Sequence, residues 1–197
     1  MTGKEFETRI LKTIATEDAT QLKKCVDEQA SYCFKDSSAS EHNSFPEQIF
    51  NFILNLMKQQ QFLMMQGSWH LLMIFEYDWG LLSVSQTERL LSALEAAYTA
   101  FADWMSWFVI SEILGEYFMD ERSFQALCRL MNSAADDPRS FVPHGLEHIA
   151  KNNLGRDLAQ KALAELLVMR EDSSSQVRHE VNLSLQRLGV SDKVIDG

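Results

Sequence analysis

The sequence predicts an all-α fold, and three features predict it. Proline and glycine are scarce, at 3 and 8 of 197 residues, and few breakers favour long uninterrupted helices. Apolar residues recur at three- and four-residue spacing, as in Phe6, Ile10, Leu11 and Ile14. The second half also repeats itself at an offset of 36 residues: ALCRLMNSAADDPRSFVPHGLEHIA (126–150) lies over ALAELLVMREDSSSQVRHEVNLSLQ (162–186). In that superposition Ala126 falls on Ala162, Leu130 on Leu166, Asp136 on Asp172, Gly145 on Val181 and Ile149 on Leu185. Each copy reads as a helix, a short acidic loop and a second helix. Such pairs stack into arrays, because one pair alone cannot bury its apolar faces. The expected architecture is one helical domain over 1–197: an N-terminal helical cap (1–66) followed by a helical repeat region (67–197).

Residues 4–15 carry the first apolar stripe, and 17–33 continue it with Leu22, Val26 and Ala30. KDSSASEHNS (35–44) has no apolar period and four serines, and reads as a mobile loop. Ser44 and Pro46 mark a helix start, with Ile49, Phe50, Ile53, Leu54 and Met57 at helical spacing in a run reaching about Met65. Gly67 breaks it. SWHLLMIFEYD (68–78) is apolar nearly all round; its helical neighbours favour a buried helix over a buried strand. Ser85-Gln-Thr-Glu88 has the form of a capping box for a helix carrying Leu90, Leu91, Leu94 and Phe101. Asp103 is placed to cap 104–118 and Asp120 the helix after it. Asp137-Pro138 is a cap with proline at the first helical position, expected to open the helix containing HGLEH. Residues 157–170 form another amphipathic helix. Ser173–Ser175 are placed to cap the last, 176–188, which stops at Gly189.

Net charge is −10, with a pI of about 4.9. An acidic surface repels phosphate backbones, so no nucleic-acid partner is expected, and it can steer a basic protein partner. The most apolar region, 62–82, is interrupted by Gln66, Gly67, His70, Glu76, Asp78 and Gly80, so no membrane span is expected. Cys25, Cys33 and Cys128 form no C-x-x-C pair and read as reduced thiols. With no apolar signal-peptide core at the start, the expected location is cytoplasmic. Walker A, G-x-G-x-x-G and G-x-S-x-G motifs are absent, and no cofactor is expected.

One stretch fits a catalytic signature. VPHGLEHIA (142–150) contains H-x-x-E-H. On a helix, His144 and His148 stand four residues apart and can reach one ion, with Glu147 placed as general base. A catalytic zinc needs a third ligand, which the downstream acids Glu165, Glu171 and Glu180 do not readily supply from helices the repeat already uses. The repeat explains the same stretch without metal. Gly145 takes the inward small position, and the histidines line one helix edge, either as partly buried hydrogen-bonding groups or as partner contacts. The expectation is no metal site. A metal-dependent helical enzyme working through this edge is the alternative, and an adaptor subunit of another complex is a third.

Carboxylates gather at the turns: Glu112, Glu116, Asp120 and Glu121, then Asp136 and Asp137, then Glu171 and Asp172. Capping explains Asp120, Asp137 and one of the last pair. The remainder exceeds capping needs, and stacked units are expected to align these turns as one acidic ridge facing a basic protein. Trp69, Trp79, Trp104 and Trp107 with Phe75, Tyr77 and Tyr98 concentrate in 69–107. They read mostly as core at the junction of the two halves, any exposed ones being interface anchors.

The segment DSSSQVRHEVNLSLQRLG (172–189) resembles a HEAT-type repeat, whose second helix begins with Asp, continues Val-Arg and small or apolar residues, and ends Leu-Gly. The unit at 126–150 departs from it, with Val142-Pro143 where Val-Arg would fall and Arg139 as the nearby substitute. More loosely, Ile110–Gly115 (ISEILG) followed by Arg139, Val142 and His144-Gly145-Leu146 is similar to small acidic HEAT-like immunity proteins of bacteria. That resemblance implies a non-enzymatic protein that occludes a cognate toxin with a basic face, using Glu112, Glu116, Asp120, Glu121, Asp136, Asp137, His144, His148, Glu171 and Asp172.

Overall fold

In the computed structural model, residues 2–35 and 44–190 are described, and among them every regular element is a helix, without strands. The loop expected at 35–44 lies almost wholly outside the described residues. No helix among them is long and apolar enough to cross a membrane. The chain divides into two compact units, Met1–Val109 and Ile110–Gly197.

The first unit opens with α1 (Gly3–Thr16), where the Thr2 hydroxyl accepts the Glu5 amide and the Glu5 carboxylate accepts the Thr2 amide. Glu17, in the left-handed region at φ 52°, turns the chain into α2 (Ala19–Lys35). Proline 46 precedes α3 (Glu47–Leu56), which ends earlier than its apolar run suggested. The polar stretch Lys58–Gln61 offers nothing to the buried stripe, so the chain turns there and resumes as α4 (Gln60–Met64), burying Phe62 and Leu63. Residues 69–77 do form a helix, α5 (Trp69–Tyr77), with Leu71, Leu72, Ile74 and Phe75 buried. Phe45, Phe50 and Phe75 interlock, their ring centroids 5.8–6.2 Å apart.

Helix α6 (Val84–Ala97) is capped two residues earlier than the expected box at Ser85. Ser83 and Gln86 form the box instead, each bonding the other's backbone amide. The overlapping S-V-S-Q-T-E run holds both choices. Gln86 wins because it can be buried while donating to the Phe45 carbonyl at 3.1 Å, where Glu88 would bury a charge. Asp103 accepts from the Met105 amide at the start of α7 (Trp104–Glu112) and from the Gly67 amide at 2.7 Å. Of the aromatics, Phe75, Tyr98 and Trp107 are buried, whereas Tyr77 and Trp104 are exposed.

The expected single helix over 104–118 changes form at its middle. From Ile113 to Phe118 it widens to a π-helix, ending at Met119 with φ 40°. Helix α8 (Glu121–Leu130) follows, capped by Asp120 as its sequence indicated. Asp137-Pro138 does not open the HGLEH helix. It lies in a separate turn, α9 (Asp136–Arg139), and α10 (Val142–Asn152) begins after it. Pro143 has no amide to donate to the Arg139 carbonyl, so one continuous helix cannot run through. Helices α11 (Asp157–Met169) and α12 (Ser175–Arg187) complete the unit, with α10 packed on α8, α11, α12 and the π-helix. Ser174 occupies the cap position of α12 without a side-chain bond. Gly189, at φ 74°, ends it as expected, with the Val190 amide reaching back to the Leu185 carbonyl.

Candidate functional site

Helix α10 is the axis around which the candidate residues of the second unit are arranged. Gly115 of the π-helix lies directly on Gly145. A Cβ added at Gly115 would sit 2.8 Å from the His148 Cβ and closer still to the Gly145 carbonyl; one at Gly145 would sit 2.8 Å from both a Leu127 methyl and the Ser111 carbonyl. Gly145 therefore holds the packing position its place in the repeat indicated, and Gly115 is the partner that sequence reasoning missed. Its signal was weak: one glycine inside ISEILGEYF.

This close approach sets side chains on either flank of α10. On one flank, His148 Nδ1 lies 2.6 Å from the Glu116 Oε2, and the Asn152 amide donates to the same oxygen at 2.8 Å. The bonds from Asn152 and His148 hold the Glu116 carboxyl below its usual range. His144 stacks edge-to-face on His148, with ring centroids 4.6 Å apart. Burial, then the neighbouring His148, lower its pKa to about 4. Glu112, one turn before Glu116, is half-buried, and burial raises its carboxyl pKa.

On the other flank, Glu147 is 1% exposed. It accepts from Lys151 at 2.5 Å and from Arg187 of α12 at 3.2 Å. Burial pushes its pKa up, but these cations outweigh burial and hold it below the usual range. So the three residues of H-x-x-E-H do not converge on one point: His148 is bonded to Glu116 of the π-helix, His144 packs on the His148 ring, and the glutamate is committed to two cations. Among the described residues no group of three or more His, Cys, Asp or Glu side chains is arranged to hold a metal ion.

The turns do not form one acidic ridge. Glu121 pairs with Lys161, which also pairs with Asp157, so Asp120 and Glu121 stand beside the start of α11. The Asn153 amide donates to the Met119 carbonyl, which fixes the same end. Asp136 and Asp172 meet at the opposite end, beyond α8, whose ten residues span about 15 Å. There Arg139, 7% exposed, makes two parallel bonds to Asp172 at 2.9 Å and a third to Asp136 at 2.9 Å, and donates to the Ser133 carbonyl at 2.6 Å. The guanidinium holds the Asp172 carboxyl below its ordinary value. Antiparallel helices put successive turns at alternate ends, which divides the expected ridge in two.

Many of the ten candidates thus have partners inside the unit. Asp120 pairs with Arg122, Glu121 with Lys161, Asp136 and Asp172 with Arg139, and Glu116 with His148. Asp137 and Glu171 are exposed and have no salt-bridge cation among the described residues. They flank the two turns joined by Arg139. Of the thiols, Cys25 is buried; Cys128 is partly exposed, and burial and Glu165 push it up to about 11, which disfavours the nucleophilic thiolate. The Cys33 side chain lies outside the described residues. A scan against protein-family models and searches of curated proteins and solved structures return no match.

Proposed function

We propose that the chain is a non-enzymatic, cytoplasmic protein-binding module, and more sharply an immunity protein that neutralises a cognate bacterial toxin by occluding it. The observation that carries this reading is the distribution of charge. The chain has a net charge of −10, and at the Arg139 end the internal pairs leave Asp137 and Glu171 turned to solvent. Carboxylates held on rigid turns and not neutralised from within suit a basic protein face, where they raise the association rate and select the partner. The HEAT-like reading is supported by the matched positions of the two helix pairs: Ala126 and Ala162, Leu130 and Leu166, and Ile149 and Leu185 are all buried.

The pairing refines the set of contact residues. Asp136 and Asp172 brace the surface through Arg139, and Asp137 and Glu171 meet the partner. In the reaction alternative, Glu147 would have to leave Lys151 and Arg187 before it could act as a base, which disfavours that reading. The test is to express the protein encoded beside this gene with and without the chain. Rescue of growth by the chain, and a stoichiometric complex of the purified pair, support the proposal. A neighbour that is not toxic, or one that does not bind, counts against it.

A further inference from the structure

We infer that the first unit carries a charge-free apolar face, marked by Met64 and Trp104, on which a second copy of this chain docks to form a two-fold dimer. The inference is independent of the toxin reading. It begins in the sequence. Charged residues make up 23% of the chain, yet 59–75 holds no Asp, Glu, Lys or Arg, and 96–109 holds only Asp103. The fold brings these two stretches together. The Ala102 amide donates to the Leu63 carbonyl at 3.0 Å, the Gly67 amide donates to the Asp103 carboxylate at 2.7 Å, and the Ser68 and Ser106 hydroxyls lie 3.0 Å apart. Phe62 and Phe101 meet edge-to-face, with ring centroids 6.0 Å apart. The bond from Ala102 to Leu63 keeps the Cα atoms of Met64 and Trp104 within about 14 Å of each other, a span their side chains cover between them.

Met64 is 54% exposed and Trp104 is 56% exposed. The other exposed residues of both stretches are glutamine, threonine and alanine. Asp103 is buried and committed to the Gly67 and Met105 amides. At the edge, the charged groups acting on His70 besides Asp103 are Lys23 and Asp27 of α2, which pair with each other at 2.6 Å and so add no net charge. Charge then selects the occupant. A basic protein, which an acidic chain attracts, finds no countercharge on this face, and an anionic surface finds no cation. A second copy does match it. Two chains of net charge −10 repel where their acidic groups face each other, and here they can approach without that opposition. Homodimer contact cores are apolar and depleted of charge, with tryptophan and methionine enriched. A two-fold axis sets the face on itself, apolar surface against apolar surface. Val84 and Leu154, also exposed, lack this setting: Val84 stands one turn before Glu88 and Arg89, and Leu154 lies between Lys151 and Arg156.

Sedimentation equilibrium of the full chain, from about 2 to about 500 µM in about 150 mM salt, tests this. The mass should rise with concentration from 22.6 kDa towards twice that value. Trp104→Glu should raise the dimer dissociation constant about tenfold or more. Met64→Lys, on a different helix, should do the same and serves if the first variant folds poorly. Val84→Glu, at the start of α6, should leave the constant unchanged. Added salt should tighten the dimer, because it screens the repulsion between acidic chains and finds no ion pair on the face to weaken. The inference is overturned if the chain stays monomeric throughout, whether or not it binds phosphatidylcholine vesicles or an unlike protein. It is also overturned if both variants dimerise as the wild type does, if Val84→Glu weakens the dimer as much as they do, or if salt dissociates it.

Discussion

The two units are held together by different means. In Met1–Val109 the largest buried side chains are aromatic, with Phe6, Phe50, Phe62, Phe75 and Tyr98 all fully buried. In Ile110–Gly197 the core is mainly aliphatic, with Phe118 and Phe124 its buried rings, and buried or half-buried charges are paired: Arg139 with Asp172, Glu147 with Lys151 and Arg187, and Glu116 with His148. Apolar burial is forgiving of detail, whereas a buried ion pair is costly unless its geometry is satisfied. The first unit should therefore respond to lost volume, and the second to lost partners, to protons and to any atom added where backbones touch.

The largest expected effect would sharpen this contrast from the first unit. Phe75→Ala removes a ring shared by Phe45 and Phe50, and should cost about 4 kcal/mol in chemical denaturation, with little dependence on pH or salt. In the second unit Gly145→Ala adds a single carbon against Leu127 and the Ser111 carbonyl and should cost about 3 kcal/mol, since backbone atoms cannot step aside. If Gly145→Ala proves neutral, the close crossing is not what holds the π-helix. Arg139→Met leaves Asp172 half-sheltered without its cation, and a loss of about 2 kcal/mol is expected, recovered in part by adding Asp172→Asn.

Acid gives a smaller and graded effect. The His144 pKa is about 4 in the folded chain against 6.5 for the free side chain, so between those values the unfolded state binds more protons. Stability from this group is fully present above pH 6.5 and is lost as pH falls towards 4, about 2 kcal/mol of it by pH 5. Urea titrations at pH 7 and pH 5 on wild type and His144→Leu measure it. The smallest effect belongs to the solvent-exposed network: Lys161→Ala should change stability by under about 0.5 kcal/mol, because exposed ion pairs contribute little.

The helical fold was legible because apolar spacing decides which stripe is buried: the helices over 4–15 and 157–169 follow that spacing, and 69–77, apolar nearly all round, took its assignment from its helical neighbours. Boundaries set by competition between near-equal choices were not legible. Ser83 and Ser85 each offer a capping box, and only the burial of Gln86 against Phe45 separates them. Pro143 split the helix expected from Asp137 because one missing amide outweighed a favourable cap. The candidate site was half legible. Gly145 showed itself through the repeat, whereas Arg139 stood out only as a substitute for a missing Val-Arg. No periodicity reports that Arg139 binds Asp172 across 33 residues, or that Glu147 turns from His148 towards Arg187.

The central functional claim is that solvent-facing carboxylates at the Arg139 end meet a basic partner, while the internally paired ones do not. Titration calorimetry of the chain with the purified product of the adjacent gene tests it most directly. Asp137→Lys with Glu171→Lys should weaken a one-to-one complex at least tenfold and reduce its salt dependence, while Asp120→Lys with Glu121→Lys changes it little. Absence of a complex, or equal affinity in the Asp137/Glu171 variant and the wild type, would contradict the account.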